Sequence, residues 1–337
     1  MNKRCWRLEA RVEIKPATIR VLSMLGQRGA FGTALTECAK DNGKIVALSA
    51  DLCNTSGLDR FRAAFPDRFF NVGIAEQNMV GVAAGLAAEG RIPVATTFAN
   101  FAALRACEQV RHFMGYMREN VKLVGFGAGF SFGMFGTTHY GMEDVAAIRA
   151  IPNIAIVSPA DGLSVVKSVE AMVVHNGPVY LRLTGGMNNP VVYRQDFNFR
   201  IGKAVVLREG ADIALVAAGS MVSPALKAAD LLQEEGVSAT VVDMHTVKPL
   251  DTELLDKLFA AHRLVVTVEE HFTLGGLGGA VAEYRADKPN VPRQVMIGVP
   301  NEFKKAGSYA YMLDTCGLTA PKIAARVAAE FKNFNKE

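Results

Sequence analysis

Two successive series of short apolar runs, each interleaved with longer stretches of helical periodicity, constrain the fold of this chain more than any other feature. In the first series the runs fall at 45–49, 94–98, 122–126, 154–157 and 179–183, with helical patterns near 30–41, 76–88, 101–117, 143–150 and 163–175. Apolar runs this short, alternating with helices, predict a parallel sheet covered on both faces. Periodicity then breaks at Gly185-Gly186-Met187-Asn188-Asn189-Pro190, and a polar segment dotted with aromatics runs on to Arg200. A second series follows, with strands at 204–207, 213–218, 239–243, 264–269 and 295–299 and helices at 223–235, 252–262, 277–286 and 320–334. The last helix has Thr319 as N-cap and Pro321 in its first turn, both favoured there. The expected fold class is α/β: two doubly wound domains with mainly parallel sheets, at 1–186 and 203–337, joined by a linker at 187–202.

Composition agrees and excludes several functions. A chain of 337 residues, half of them apolar, can bury two cores. Its 37 basic and 33 acidic side chains leave a formal charge of +4, too small to favour nucleic acid or a charged membrane surface. Cys5, Cys38, Cys53, Cys107 and Cys316 are scattered, with no Cys-x-x-Cys pair, which fits a reducing compartment and neither a disulfide scaffold nor a zinc site. Residues 1–10 are basic but lack the apolar core of a secretory signal, and no apolar run is long enough to span a bilayer. The expected location is cytoplasmic.

The chemistry starts at Phe70-Asn71-Val72-Gly73-Ile74-Ala75-Glu76-Gln77-Asn78-Met79, which places one carboxylate at the opening of an Ala/Gly-rich helix. Small residues let such a helix lie close to other backbones, so Glu76 is expected to be walled in and its ionised form disfavoured, as suits a group that exchanges protons near neutrality. An acidic residue in a first helical turn also complements the helix dipole without any catalytic role. Further on, Phe98 and Phe101 close a predicted strand at the edge where doubly wound folds bind ligands; they form either a flat apolar wall or ordinary core. His139 stands in the glycine-rich loop Gly133-Met134-Phe135-Gly136-Thr137-Thr138-His139-Tyr140-Gly141, placed either to meet a ligand or simply in solvent. The cluster Gly275-Gly276-Leu277-Gly278-Gly279 lacks the spacing of a dinucleotide loop, which leaves close helix-to-strand packing as its reason.

Gly73-Ile74-Ala75-Glu76-Gln77 resembles the signature of the pyrimidine-binding domain of transketolases and of the related deoxyxylulose-phosphate synthases, both thiamine diphosphate enzymes. The resemblance covers nearly the whole chain, with residues 243–249 and Glu269-Glu270-His271 similar to the transketolase C-terminal domain. It implies that Glu76 bonds to the cofactor's aminopyrimidine ring, that Phe98 and Phe101 line the pyrimidine pocket, and that Leu104 replaces a usual tyrosine. It further implies that His139 contacts the substrate's reacting end, that Arg28, Thr55 and Arg182 contact sugar phosphate, and that Asp51 lies near cofactor and substrate. Guanidinium forks suit phosphate oxygens, although a surface ion pair is the plainer use of each arginine. Two positions depart from the family: Gly127 and Phe135 stand where transketolases carry a phosphate-binding histidine and a hydroxyl-reading aspartate, which implies an altered sugar preference.

One part is missing from the chain. The family holds the cofactor's diphosphate through Mg²⁺ with a Gly-Asp-Gly segment, and no such segment occurs here, nor is there length before residue 28 for a further domain. The resemblance therefore implies a split transketolase in which this chain is the C-terminal subunit. A separate N-terminal diphosphate-binding subunit supplies the Mg²⁺ ligands, and an α2β2 heterotetramer is expected. The reaction implied is transfer of a two-carbon ketol unit between sugar phosphates. Rival readings are a deoxyxylulose-phosphate synthase, the beta subunit of a 2-oxo acid dehydrogenase, or a non-catalytic subunit that keeps the fold.

Overall fold

A computed structural model describes Val12 and residues 14–334 of the chain. Cys5 and the segment 1–10 lie outside the described residues. The first series forms a seven-stranded sheet from β1 (Ile45–Ser49), β2 (Phe69–Asn71), β3 (Ile92–Phe98), β4 (Lys122–Ala128), β5 (Ala155–Val157) and β6 (Val179–Thr184). The second forms a five-stranded sheet from β7 (Val205–Arg208), β8 (Ile213–Ala217), β9 (Ala239–Asp243), β11 (Leu264–Phe272) and β12 (Arg293–Val299). The remaining strand, β10 (Thr246–Lys248), leaves the second series and pairs antiparallel with β5, so the order of the first sheet is β10-β5-β6-β4-β3-β1-β2. The second sheet runs β12-β11-β8-β9-β7, parallel except for β7. Strands β1, β4, β6, β8, β9 and β11 are buried along their whole length, which is why their sequences read as continuous apolar runs rather than alternations. Because β1 to β4 run parallel, Asp51, the turn before Glu76, Phe98 and the loop bearing His139 all emerge from one edge.

Helix boundaries match the periodicity at Glu76–Ala88, Leu277–Ala286 and Ala320–Phe334. Two regions differ. The helix expected at 30–41 spans Pro16–Asp41 and is broken at Gly26, whose φ of +68° and approach to the Gly186 carbonyl (2.3 Å from a Cβ built there) leave room only for glycine. The helix expected at 101–117 is wound as two widened stretches, Phe101–Arg105 and Val110–Tyr116, with five-residue hydrogen bonds such as Ala106 N–H to the Phe101 carbonyl at 3.1 Å. Widened turns of this kind concentrate at functional sites.

A buried charge cluster fastens the sheets together. Arg182 on β6 donates from Nε to Asp144 Oδ2 at 2.8 Å and from Nη2 to the carbonyls of Gly141 (3.1 Å) and Glu270 on β11 (3.0 Å). Tyr180 donates to the same carboxylate oxygen at 2.8 Å. Glu270 in turn accepts from the Phe130 N–H at 2.6 Å, from Tyr309 at 2.8 Å and from Ser220. Glu269 accepts from the Leu277 and Gly278 N–H groups at 2.7 and 2.8 Å, capping the helix that follows. A Cβ at Gly276 would lie 2.0 Å from that carboxylate, so the glycine cluster serves packing, as its spacing suggested.

Two predictions follow from these buried groups. Replacing Asp144 by Ala strands the Arg182 guanidinium and should cost about 3 kcal/mol of stability, read as a lower denaturant midpoint; an unchanged midpoint would contradict the assignment. Burial also pushes His245 and His271 down to about 4, so they stay neutral in the fold while the unfolded chain protonates below about 6.5. Their contribution is complete above that value and is lost as pH falls towards 4. Asp243 and Glu269, pushed up by burial to about 8 and about 7, act in the opposite direction as pH rises. His245→Asn should therefore flatten the acid limb of the stability profile, by up to about 1.4 kcal/mol per pH unit, and leave the profile above pH 7 unaltered.

Candidate active site

Glu76 opens its helix and is 2 % exposed, walled in as expected. It is not unpaired: its Oε1 accepts from Arg105 Nη1 at 2.7 Å, and the Arg105 guanidinium lies 3.8 Å above the Phe101 ring centroid. The pair sits at the rim of the site, since Arg105 is 46 % exposed. The helix glycines are not closely packed: a Cβ added at Gly85 meets nothing and one at Gly81 makes only ordinary contact.

Phe98 and Phe101 do form one aromatic surface, edge to face at 5.4 Å. Phe98 is both core and wall: its inner side packs on Phe126 at 4.7 Å, and it also meets Phe132 at 5.0 Å and His139 at 5.4 Å. Leu104 is half-exposed beside them. His139 is half-buried, with Nδ1 at 2.8 Å from Thr138 Oγ1. Asn100 donates to the Thr138 carbonyl at 2.9 Å, tying the histidine's loop to the end of β3. Asp51, in left-handed conformation at φ +60°, exchanges two hydrogen bonds with Asn71, whose side chain also accepts from the Gly73 N–H at 3.1 Å. That places Asp51 in support of the turn leading into Glu76.

Arg28 and Thr55 lie together, Arg28 Nη1 donating to the Thr55 carbonyl at 2.7 Å. Both line a cleft of about 240 Å³ together with Asn54, Asp59, Arg60 and Met187. Arg28 also lies 5.1 Å over the Phe132 ring, so Phe132 bridges this cleft and the Phe98–His139 surface. Arg182 does not join them. The expectation that it contacts sugar phosphate is corrected by its burial, 3 % exposed, and by its pairing with Asp144 and two backbone carbonyls. Sequence reasoning missed Arg105, Phe132 and Asn71; the spacing of Arg105 four residues after Phe101 was the available signal for the first.

Residues 23–189 match the model of the transketolase pyrimidine-binding domain, and residues 202–323 match that of the transketolase C-terminal domain. A protein of Methanocaldococcus jannaschii named as a transketolase C-terminal section is 39 % identical over 91 % of this chain and 96 % of its own length. The chain belongs to the transketolase family. A 6-deoxy-6-sulfo-D-fructose transketolase subunit of Clostridium sp. (strain MSTE9) is 40 % identical over 91 % of this chain and 95 % of its own length. A solved structure, a split-gene transketolase in the form of an inactive beta4 tetramer, superposes with a TM-score of 0.84 at 42 % identity, covering 91 % of this chain and 98 % of that one.

Membership of the transketolase family implies dependence on thiamine diphosphate. The residues present fit its pyrimidine end: a planar group bearing N–H donors, the Arg105 guanidinium, already stacks on Phe101 and donates to Glu76. Among the described residues there is no group of three or more His, Cys, Asp or Glu able to hold a metal ion.

The Arg105 contact is testable in this chain alone. Arg105→Leu leaves Glu76 buried without its counter-ion and should lower stability by about 1 kcal/mol, the scale of a half-exposed pair. A double-mutant cycle with Glu76→Gln measures it, and a coupling energy near zero would show that the pair carries nothing.

Proposed function

We propose that this chain is the C-terminal subunit of a split transketolase, transferring a two-carbon ketol unit from a ketose phosphate to an aldose phosphate. The observation that carries the reading is the convergence of a buried carboxylate, Glu76, with the Phe98–Phe101 surface and His139 at one sheet edge. Bound there, thiamine diphosphate supplies the electron sink for breaking a carbon–carbon bond beside a carbonyl. Glu76 accepts a hydrogen bond from the pyrimidine ring and holds or releases the proton there. Phe98 and Phe101 fix the ring plane and exclude water. His139, presented by Thr138 and Asn100, hydrogen-bonds the substrate oxygen at the reacting end. Arg28, with the Thr55 side of its cleft, takes the phosphate.

On this reading the diphosphate and Mg²⁺ are held by a separate N-terminal subunit, the working assembly is an α2β2 heterotetramer, and the location is cytoplasmic. Among the described residues no helix is long and apolar enough to cross a membrane.

Mixing this chain with a diphosphate-binding subunit, thiamine diphosphate and Mg²⁺ should yield ketol transfer that neither chain shows alone. Glu76→Gln in the mixture should lower kcat by at least about a hundredfold while assembly is retained. Full turnover by this chain without a partner, or an unimpaired Glu76→Gln complex, would overturn the proposal.

A further inference from the structure

The surface between His139 and Arg28 is made of phenyl rings. Gly127, at φ +69°, holds a conformation that side chains rarely adopt, and the space above it is filled: a Cβ there would lie 2.8 Å from the Phe132 ring and 3.0 Å from Phe98. Phe132 stacks on Phe135 with centroids 5.9 Å apart and planes 28° from parallel. Phe135 reaches His139 at 5.4 Å, and Phe132 reaches Arg28 at 5.1 Å. A path from the reacting end of a substrate to its anionic end therefore crosses two ring faces that carry no hydrogen-bonding group. The rings are held in place. The loop is anchored through the Phe130 N–H to Glu270 and through the Gly133 carbonyl to the Gly307 N–H, and the Phe135 N–H bonds back to the Phe132 carbonyl at 2.9 Å.

We propose that Phe132 and Phe135 form an apolar wall that selects an acceptor aldehyde with an anionic end and no hydroxyl on the carbon next to its carbonyl, a deoxygenated sugar phosphate. The inference rests on the ketol-transfer reading and names its substrate class. A hydroxyl pressed against the wall gives up water and gains no partner, so the hydroxylated acceptor loses about ten- to a hundredfold in kcat/KM. Phe135, 64 % exposed, is the specificity-determining ring, and Phe132 backs it.

The test compares a matched pair of acceptors in the reconstituted complex, with hydroxypyruvate as donor. The donor's bond between carboxylate and carbonyl carbon breaks and CO₂ leaves. The two-carbon unit forms a new bond to the aldehyde carbon, and one proton is taken up on the former aldehyde oxygen. The pair is glyceraldehyde 3-phosphate and 3-oxopropyl phosphate, which differ only by the hydroxyl in question. The expected result is a kcat/KM at least about tenfold higher for the deoxygenated acceptor, with Phe135→Asp and Phe135→Asn moving the preference towards glyceraldehyde 3-phosphate. Equal rates, or a preference for the hydroxylated acceptor, with transfer otherwise intact would overturn this inference and leave the ketol-transfer reading standing. No transfer to either aldehyde would overturn both. Wild-type preference in Phe135 variants whose melting temperature and assembly are unchanged would also overturn it.

Discussion

The buried guanidinium of Arg182 is the contact on which the site's geometry depends. It reaches from β6 to Asp144, to the Gly141 carbonyl and to the Glu270 carbonyl on β11, while the Glu270 carboxylate takes the Phe130 N–H. These bonds grip both ends of the loop that carries Phe132, Phe135 and His139, and they do so by linking the two sheets. Burying an arginine–aspartate pair beside a further carboxyl group is costly unless each of them is paired. Here the cost is offset by a dense set of hydrogen bonds, and the return is a fixed loop. The second series of elements thus reaches the loop through Glu270 and through the Gly307 N–H, which bonds the Gly133 carbonyl.

Glu76 solves a related problem at the rim. A carboxylate at 2 % exposure needs a partner, and in the isolated chain Arg105 is that partner, lying on the same Phe101 face that a pyrimidine ring would cover. On the proposed function, Glu76 and Phe101 form one wall of a site that takes the flat, N–H-bearing part of the cofactor. Ile74, two residues before Glu76, is 78 % exposed, and Leu104 is half-exposed, apolar surface of the kind that a second polypeptide covers.

Much of this was legible in the sequence because burial and periodicity are written into it. The all-buried strands read as apolar runs, and Glu76–Ala88 was delimited to the residue. β2 and β10 were missed for physical reasons: each has only three residues, too few for a pattern, and β10 pairs with a sheet that its neighbours in sequence do not join. The convergence of Glu76, Phe98, Phe101 and His139 followed from the parallel edge. Arg182 misled because an arginine near the end of a strand looks the same whether it faces a ligand or a buried carboxylate; only the fold brings Asp144 beneath it. Phe132 was invisible for the complementary reason, since nothing in Gly127 announces which ring will occupy the space above it.

Binding of thiamine diphosphate with Mg²⁺, followed by calorimetry on this chain alone, on a diphosphate-binding subunit alone and on the two assembled, tests most directly whether half of the cofactor's pocket resides here. Tight binding confined to the assembly is the result expected of a divided site. Equally tight binding by this chain alone would mean that it already holds the diphosphate end, and the division of the site between two polypeptides would be wrong.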